Sequence, residues 1–148
     1  MQLSKNFWLD EFSCPCKVYE KNKLPDPKLI TLLQTLRDRV GKPIHISIGG
    51  GIRCNRYNEL IGGYVNSPHT EGKAADIYVK GMNFIKLAKL AKEVGFDRVG
   101  IYPFTYSKFI HVDIIPKNPS GSWVRDREGS YYYFNLLDNA LKSVRDYA

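Results

Sequence analysis

His69 and Asp76 stand seven residues apart in Ser67-Pro68-His69-Thr70-Glu71-Gly72-Lys73-Ala74-Ala75-Asp76, and His111 follows 35 residues later in Phe109-Ile110-His111-Val112-Asp113. Two imidazoles and a carboxylate form a hard-to-borderline ligand set that suits zinc at about 2.0 to 2.2 Å, with no thiolate needed. Three protein ligands leave a fourth position for water or substrate, the mark of a catalytic rather than a structural zinc. Such an ion lowers the pKa of its water toward roughly 7 and polarises a carbonyl. Peptide hydrolysis needs both effects, and also a base for the water's proton. A lone histidine on an apolar strand is more often a core residue than a ligand. Here the chain has only 3 histidines and two of them fall in this constellation, which leaves His45 as a structural or surface residue.

The elements around these residues must bring them together. Seven residues are too many for one helical turn, so a loop has to fold back between His69 and Asp76, with Gly72 supplying the permissive backbone. Ala75-Asp76-Ile77-Tyr78-Val79 reads as a strand, and small Ala74 and Ala75 let it pack closely beside the site. Arg98 to Tyr102 and Lys108 to Ile115 read as a hairpin around Pro103-Phe104-Thr105-Tyr106-Ser107, which puts His111 in mid-strand. Ile44, Ile46 and Ile48 alternate from Pro43 to Ile48, predicting a strand with one buried face that runs into Gly49-Gly50-Gly51 and delivers Arg53 to the strand's end. The glycines lack the GKS or GKT ending of a phosphate loop.

Helical spacing is clearest from Pro27 to Val40, through Leu29, Leu32, Leu33, Leu36 and Val40, with Asp26 as N-cap, Pro27 at the first position and Gly41 as the stop. Met82 to Val94 repeats the pattern and ends at Gly95, while Asn55 to Ile61 predicts a short helix closed by Gly62-Gly63. Asn6 to Phe12 reads as an amphipathic turn docked by its aromatics. Pro116 to Gly129 reads as a loop, and Tyr131 to Val144 as a final helix for which Tyr131-Tyr132-Tyr133-Phe134 supply packing, a sugar-stacking platform being the alternative. Hairpin-like pairs outnumber βαβ units, so the expected class is α+β, a small, mostly antiparallel sheet with flanking helices.

Composition narrows the function classes. With 148 residues and 43% hydrophobic content the chain buries one core, so one domain over 1–148 and a monomer are expected. No apolar run approaches the roughly 18 to 20 residues of a membrane span, and Met1-Gln2-Leu3-Ser4-Lys5-Asn6 lacks a signal peptide's apolar core. The net charge of +7 favours an anionic partner, for which bacterial cell wall serves as well as nucleic acid. Because the basic residues are scattered and no aromatic-interleaved motif accompanies them, nucleic acid is set aside. Cys14, Cys16 and Cys54 are too few for a disulfide framework and lack the Cys-x-x-Cys spacing of a zinc ribbon. They read as small, partly buried thiols, with a bridge from Cys14 or Cys16 to Cys54 as the alternative.

The pattern Ser-x-His-x-x-Gly-x-Ala-x-Asp followed by a strand with His-Val-Asp resembles the zinc D-alanyl-D-alanine carboxypeptidases and cell-wall endopeptidases of the peptidase M15 family, whose fold is shared with hedgehog signalling domains. Ser67, His69, Gly72, Ala74 and Asp76 complete the first motif. Phe7 with Glu11-Phe12, Arg53-Cys54, Asn58 before Gly62-Gly63, and Gly100-x-Tyr102-Pro103 extend the resemblance over roughly residues 5 to 115, toward the phage-lysin and small bacterial branch. It implies that His69, Asp76 and His111 hold zinc, that Arg53 engages substrate near the scissile bond, and that peptidoglycan stem peptides are cut, by a phage endolysin, a phage particle component or an exported domain. A guanidinium suits a bidentate grip on a carboxylate or a developing oxyanion. The departure lies in the base. Family branches with an acid three residues before the last ligand, or a histidine two before it, are matched here by Lys108 and Phe109. The base role therefore falls to Asp113, two residues along the strand from His111 and about 6.6 Å away, with Glu71 in reserve. Asp113 as a carboxylate that orients a histidine or pairs with an arginine is the equal alternative. The missing acid also motivates a catalytically inactive, zinc-stabilised module that binds wall or a partner protein.

Overall fold

Asp26 and Pro27 open the first helix as the sequence predicts. The Asp26 carboxylate accepts from the Lys28 amide, and α1 (Pro27–Val40) closes at Gly41 in the left-handed conformation. Its buried face is Leu29, Ile30, Leu33 and Leu36, each such side chain contributing about 1.5–3 kcal/mol of burial. The computed structural model describes residues 1–16, 23–116 and 121–148. Two further helices follow the predicted spacing, α2 (Asn55–Leu60) and α3 (Phe84–Val94), the latter capped by Asn83 and ended at Gly95. At the start, the expected amphipathic turn is a strand pair, β1 (Gln2–Ser4) with β2 (Phe7–Trp8), followed by a 3-10 turn over Leu9–Phe12 that buries Phe7 and Phe12.

The main sheet has six strands in the order β3 (His45–Ile46), β4 (Ala74–Tyr78), β6 (Phe109–Asp113), β5 (Arg98–Tyr102), β7 (Ser122–Arg125) and β8 (Tyr131–Phe134). All pairings are antiparallel except β5 with β7. With four α-helices among the described residues beside this mostly antiparallel sheet, the class is α+β.

Three further expectations change. The strand over Pro43 to Ile48 shrinks to two residues, and Ile48 is 94% exposed, because the ladder breaks after Ser47, whose carbonyl accepts from the Gly50 amide. The loop expected over Pro116 to Gly129 contains β7, residues 117–120 lying outside the described residues. The helix expected from Tyr131 is instead β8 followed by α4 (Leu137–Val144). Four aromatic residues in a row carry no helical period, and Tyr132 and Tyr133 are exposed while Tyr131 and Phe134 are half-buried, which suits a strand at a sheet edge.

Register assigns the two faces of the sheet. Ile77, Ile110, Ile101 and Val124 are successive partners across β4, β6, β5 and β7, and all are buried on the helix-covered side. One residue along, Asp76, His111, Gly100, Trp123 and Tyr133 form the adjacent row, which faces the other way. Gly100 is the gap in that row: a Cβ there would lie 2.3 Å from the Trp123 ring. Its missing side chain lets the indole lie across β5, with ring centroids of Trp123 and His111 5.0 Å apart. Gly100→Ala is expected to displace the indole and cost about 1–3 kcal/mol of stability, read as a lower urea midpoint.

Candidate metal centre

The site begins with the loop between Ser67 and β4. Ser67 Oγ accepts from the His69 amide, Pro68 starts a 3-10 turn over Pro68–Glu71, and Gly72 ends it with φ 71°. The chain then enters β4, where Asp76 stands opposite His111. His69, Asp76 and His111 are all buried.

Three atoms converge. Asp76 Oδ1 lies 3.3 Å from His69 Nε2 and 3.1 Å from His111 Nδ1. A tetrahedral ion with ligands at about 2.0–2.1 Å has ligand–ligand edges of about 3.3–3.4 Å, so these separations match what such an ion requires. The far side of each ring is occupied. His69 Nδ1 donates to the Gly51 carbonyl at 2.9 Å, and His111 Nε2 donates to Asp113 Oδ2 at 2.8 Å. Those two bonds fix the tautomers, leaving His69 Nε2 and His111 Nδ1 as lone pairs aimed at one point. The donor set fits a borderline divalent cation such as zinc.

Without a cation, His111 keeps a proton instead. Burial works against a charged His111, but its hydrogen bonds to Asp113 and Asp76 outweigh that and push its pKa up to about 9. Asp76 is shifted the opposite way: burial is outweighed by the His69 charge and by hydrogen bonds from His111 and His69, so its carboxyl sits well below the usual range. His111 binds its proton more tightly folded than unfolded, so its contribution is complete below about 6.5, the ordinary histidine value, and disappears as pH rises through about 9. Metal-free protein is therefore expected to lose melting temperature across that window, a loss that zinc suppresses by replacing the His111 proton. Thermal melts at several pH values, with and without chelator, check this.

Arg53 reaches the same centre from the glycine turn. Its Nε donates to Gly49 O at 2.7 Å, Nη1 to Asn58 Oδ1 at 3.2 Å and Nη2 to Asp76 Oδ2 at 3.3 Å. Gly50 permits the close approach, since a Cβ there would lie 2.8 Å from Asp76 Cβ. The centre opens into a cleft of about 610 Å³ lined by Arg53, Arg98, Tyr102, Trp123, Tyr131 and Tyr133 among others. Burial pushes the Tyr102 phenol far up, so it stays protonated, and its oxygen accepts from Trp123 Nε1 at 3.1 Å.

Asp113 does not line this cleft. It is fully buried on the far side of the His111 ring, where Arg98 Nε and Nη2 reach its carboxylate at 3.0 and 2.9 Å and the Ile115 amide donates to Oδ1 at 3.0 Å. That enclosure favours the alternative reading of Asp113, a carboxylate that orients His111 and pairs with Arg98, over the base role. Glu71 is exposed and lies outside the cleft as well. Among the described residues, Asp76 is the only carboxylate lining it.

A family model described as Peptidase M15 matches residues 5–113. The chain belongs to the Peptidase M15 family. One curated relative is the Zinc D-Ala-D-Ala carboxypeptidase of Streptomyces albus G, 38% identical over 74 residues that span 48% of this chain and 28% of that protein. Another is the Peptidoglycan L,D-endopeptidase MepK of Escherichia coli (strain K12), 33% identical over 106 residues, 66% of this chain and 57% of that protein. The M15 chain thus matches less than two thirds of the length of either relative.

Sequence reasoning missed part of this M15 cleft. Arg98, Trp123 and Arg125 went unassigned, and all line it. The signal for Arg98 was its strand parity: it opposes Asp113 on β6, as Gly100 opposes His111. No comparable signal marks Trp123, whose strand sits in a stretch rich in turn residues.

Proposed function

We propose that this M15 chain is a zinc metallopeptidase that acts, as one domain, on the cell wall and hydrolyses peptide bonds in peptidoglycan stem peptides. The observation that carries the proposal is the convergence of His69 Nε2, Asp76 Oδ1 and His111 Nδ1, with both rings pinned from behind. Zinc held by these three residues would supply Lewis acidity and an activated water near neutral pH. The chain's own residues do the rest. Gly51 O and Asp113 hold the imidazoles in their ligating tautomers, and Arg98 holds Asp113. The guanidiniums of Arg53, Arg98 and Arg125 give the cleft a positive field that draws the carboxylates of stem peptides. Arg53, nearest the centre, grips the substrate beside the scissile bond. Tyr102, protonated, accepts from Trp123 and shares a hydrogen bond with Tyr131, so its O–H can turn to oxygen charge developing in the cleft only by leaving Tyr131.

Arg53→Lys keeps the charge but loses the fork that spans Gly49 O, Asn58 and Asp76. Hydrolysis is expected to fall about 10- to 100-fold, the size of one lost charge-assisted contact at about 1.5–3 kcal/mol, with zinc content unchanged by metal analysis.

A second reading is favoured by one observation, the absence of a cleft carboxylate other than Asp76 among the described residues. It keeps the zinc and drops the hydrolysis, giving a zinc-stabilised module that binds wall or a partner protein. Incubation of zinc-loaded protein with a panel of purified cell walls separates the two. New amino groups, with fragments identified by mass spectrometry and absent from a His111→Ala control, support the peptidase; wall binding with no release in any digest supports the module.

A further inference from the structure

Away from the cleft, three sulfurs gather where the N-terminal segment meets the glycine turn. The Ile52 amide donates to Phe12 O at 2.8 Å, and Gly51 runs so close that a Cβ would lie 2.6 Å from Phe12 Cα. This side-by-side course brings Cys54 Sγ to 3.7 Å from Cys14 Sγ and 3.3 Å from Cys16 Sγ, and all three sulfurs lie within 4.8 Å of one another. A disulfide needs about 2.05 Å. Three corners of a tetrahedral zinc–thiolate site, with Zn–S about 2.3 Å, are about 3.8 Å apart. The observed separations are nearer the second figure.

Backbone donors point the same way. The Cys54 amide donates to Cys14 Sγ at 3.4 Å and the Tyr57 amide to Cys54 Sγ at 3.3 Å. Hydrogen bonds to sulfur favour thiolate, the form that ligates metal, although burial outweighs them at Cys14 and pushes its thiol up, so there the cation itself must displace the proton. Cys16 and Cys54 are half-buried, so the cluster can be loaded from solvent, whereas Cys14 is buried.

We propose that Cys14, Cys16 and Cys54 form a second metal site, a thiolate site for a thiophilic divalent cation of the zinc class. Its consequence is mechanical. An ion there clamps the N-terminal segment to the stretch that carries Gly51, whose carbonyl orients His69, and Arg53, which lies beside Asp76. It does the work of a cross-link between residues about forty positions apart in sequence.

Full-length protein reconstituted with excess zinc under reducing conditions, then desalted, should retain two equivalents by metal analysis. Cys54→Ser and Cys16→Ser should each retain one, as should His111→Ala. With cobalt in place of zinc, the wild type and His111→Ala should show an ultraviolet sulfur-to-cobalt charge-transfer band that both cysteine variants lack. Circular dichroism checks folding, and if Cys54→Ser does not fold, Cys16→Ser decides. A single equivalent in wild type with no charge-transfer band overturns the proposal. So does a disulfide to Cys54 that persists in the reduced, zinc-treated protein when alkylated peptides are mapped. The cobalt band reports only on sulfur, so loss of the histidine site leaves this test intact.

Discussion

His111→Ala is expected to yield a folded protein that no longer keeps zinc at the histidine centre and releases no amino groups from cell walls above background. Two lone pairs remain, from His69 and Asp76, and removing even a partner behind a ligand typically weakens metal affinity about 10–100-fold. Loss of a ligand itself should exceed that, so a chelator competition that places the variant within 10-fold of wild type would rule out His111 as a ligand. The fold should tolerate the change, because the charges left behind are not orphaned. Asp76 keeps its contact with Arg53 at 3.3 Å, and Asp113 keeps Arg98 and the Ile115 amide. Because the His111 proton contributes to the metal-free fold at neutral pH, the urea midpoint should fall below that of metal-free wild type there and approach it near pH 9, and a native circular dichroism spectrum at the assay pH shows that the lost activity comes from the site and not from unfolding.

Asp113→Ala should behave in the opposite way, with stability as its largest effect. Its carboxylate is fully buried and accepts from His111, Arg98 and the Ile115 amide. Deleting one partner of a buried ion pair costs about 3–5 kcal/mol, since the remaining charge is left without compensation. Arg98 keeps some access to solvent, its side chain being 24% exposed, which places the expected loss at the lower end of that range. Zinc affinity should fall about 10–100-fold in parallel, because the His111 ring loses the bond that fixes its tautomer. Asp113→Asn retains an acceptor of the same shape and should recover part of both losses. If Asp113 were instead the proton acceptor of the reaction, either substitution would abolish hydrolysis while leaving zinc content and the urea midpoint in place.

The first three α-helices and the turn that carries His69 into β4 are legible in the sequence because local rules act on them alone. Asp26, Pro27 and Gly41 bracket α1 without reference to anything distant, and the spacing from Ser67 to Asp76 encodes a turn and a strand entry that neighbouring residues enforce. What escapes is decided by pairing. Ile48 alternates with Ile44 and Ile46, yet it is exposed because the ladder breaks after Ser47, whose carbonyl accepts from the Gly50 amide while the Asp76 amide turns to Gly50 O. Ser122–Arg125 becomes a strand only because β5 offers it a parallel edge, and Tyr131–Phe134 only because β7 does. The position of Asp113 escapes for the same reason. Its place two residues from His111 puts it on the correct face of the sheet, but the guanidinium that encloses it comes from the neighbouring strand.

The row that begins at Asp76 and ends at Tyr133 crosses a boundary, since the family match stops at residue 113 while Trp123 and Tyr133 lie beyond it. One wall of the cleft thus lies within the family match, and the opposite wall lies beyond it and joins the sheet through the pairing of β7 with β5. Exchange of the β7–β8 wall between relatives would reshape the cleft while the wall that carries His69, Asp76 and His111 keeps its residues, much as one jaw of a vice can be refaced while the other stays bolted down.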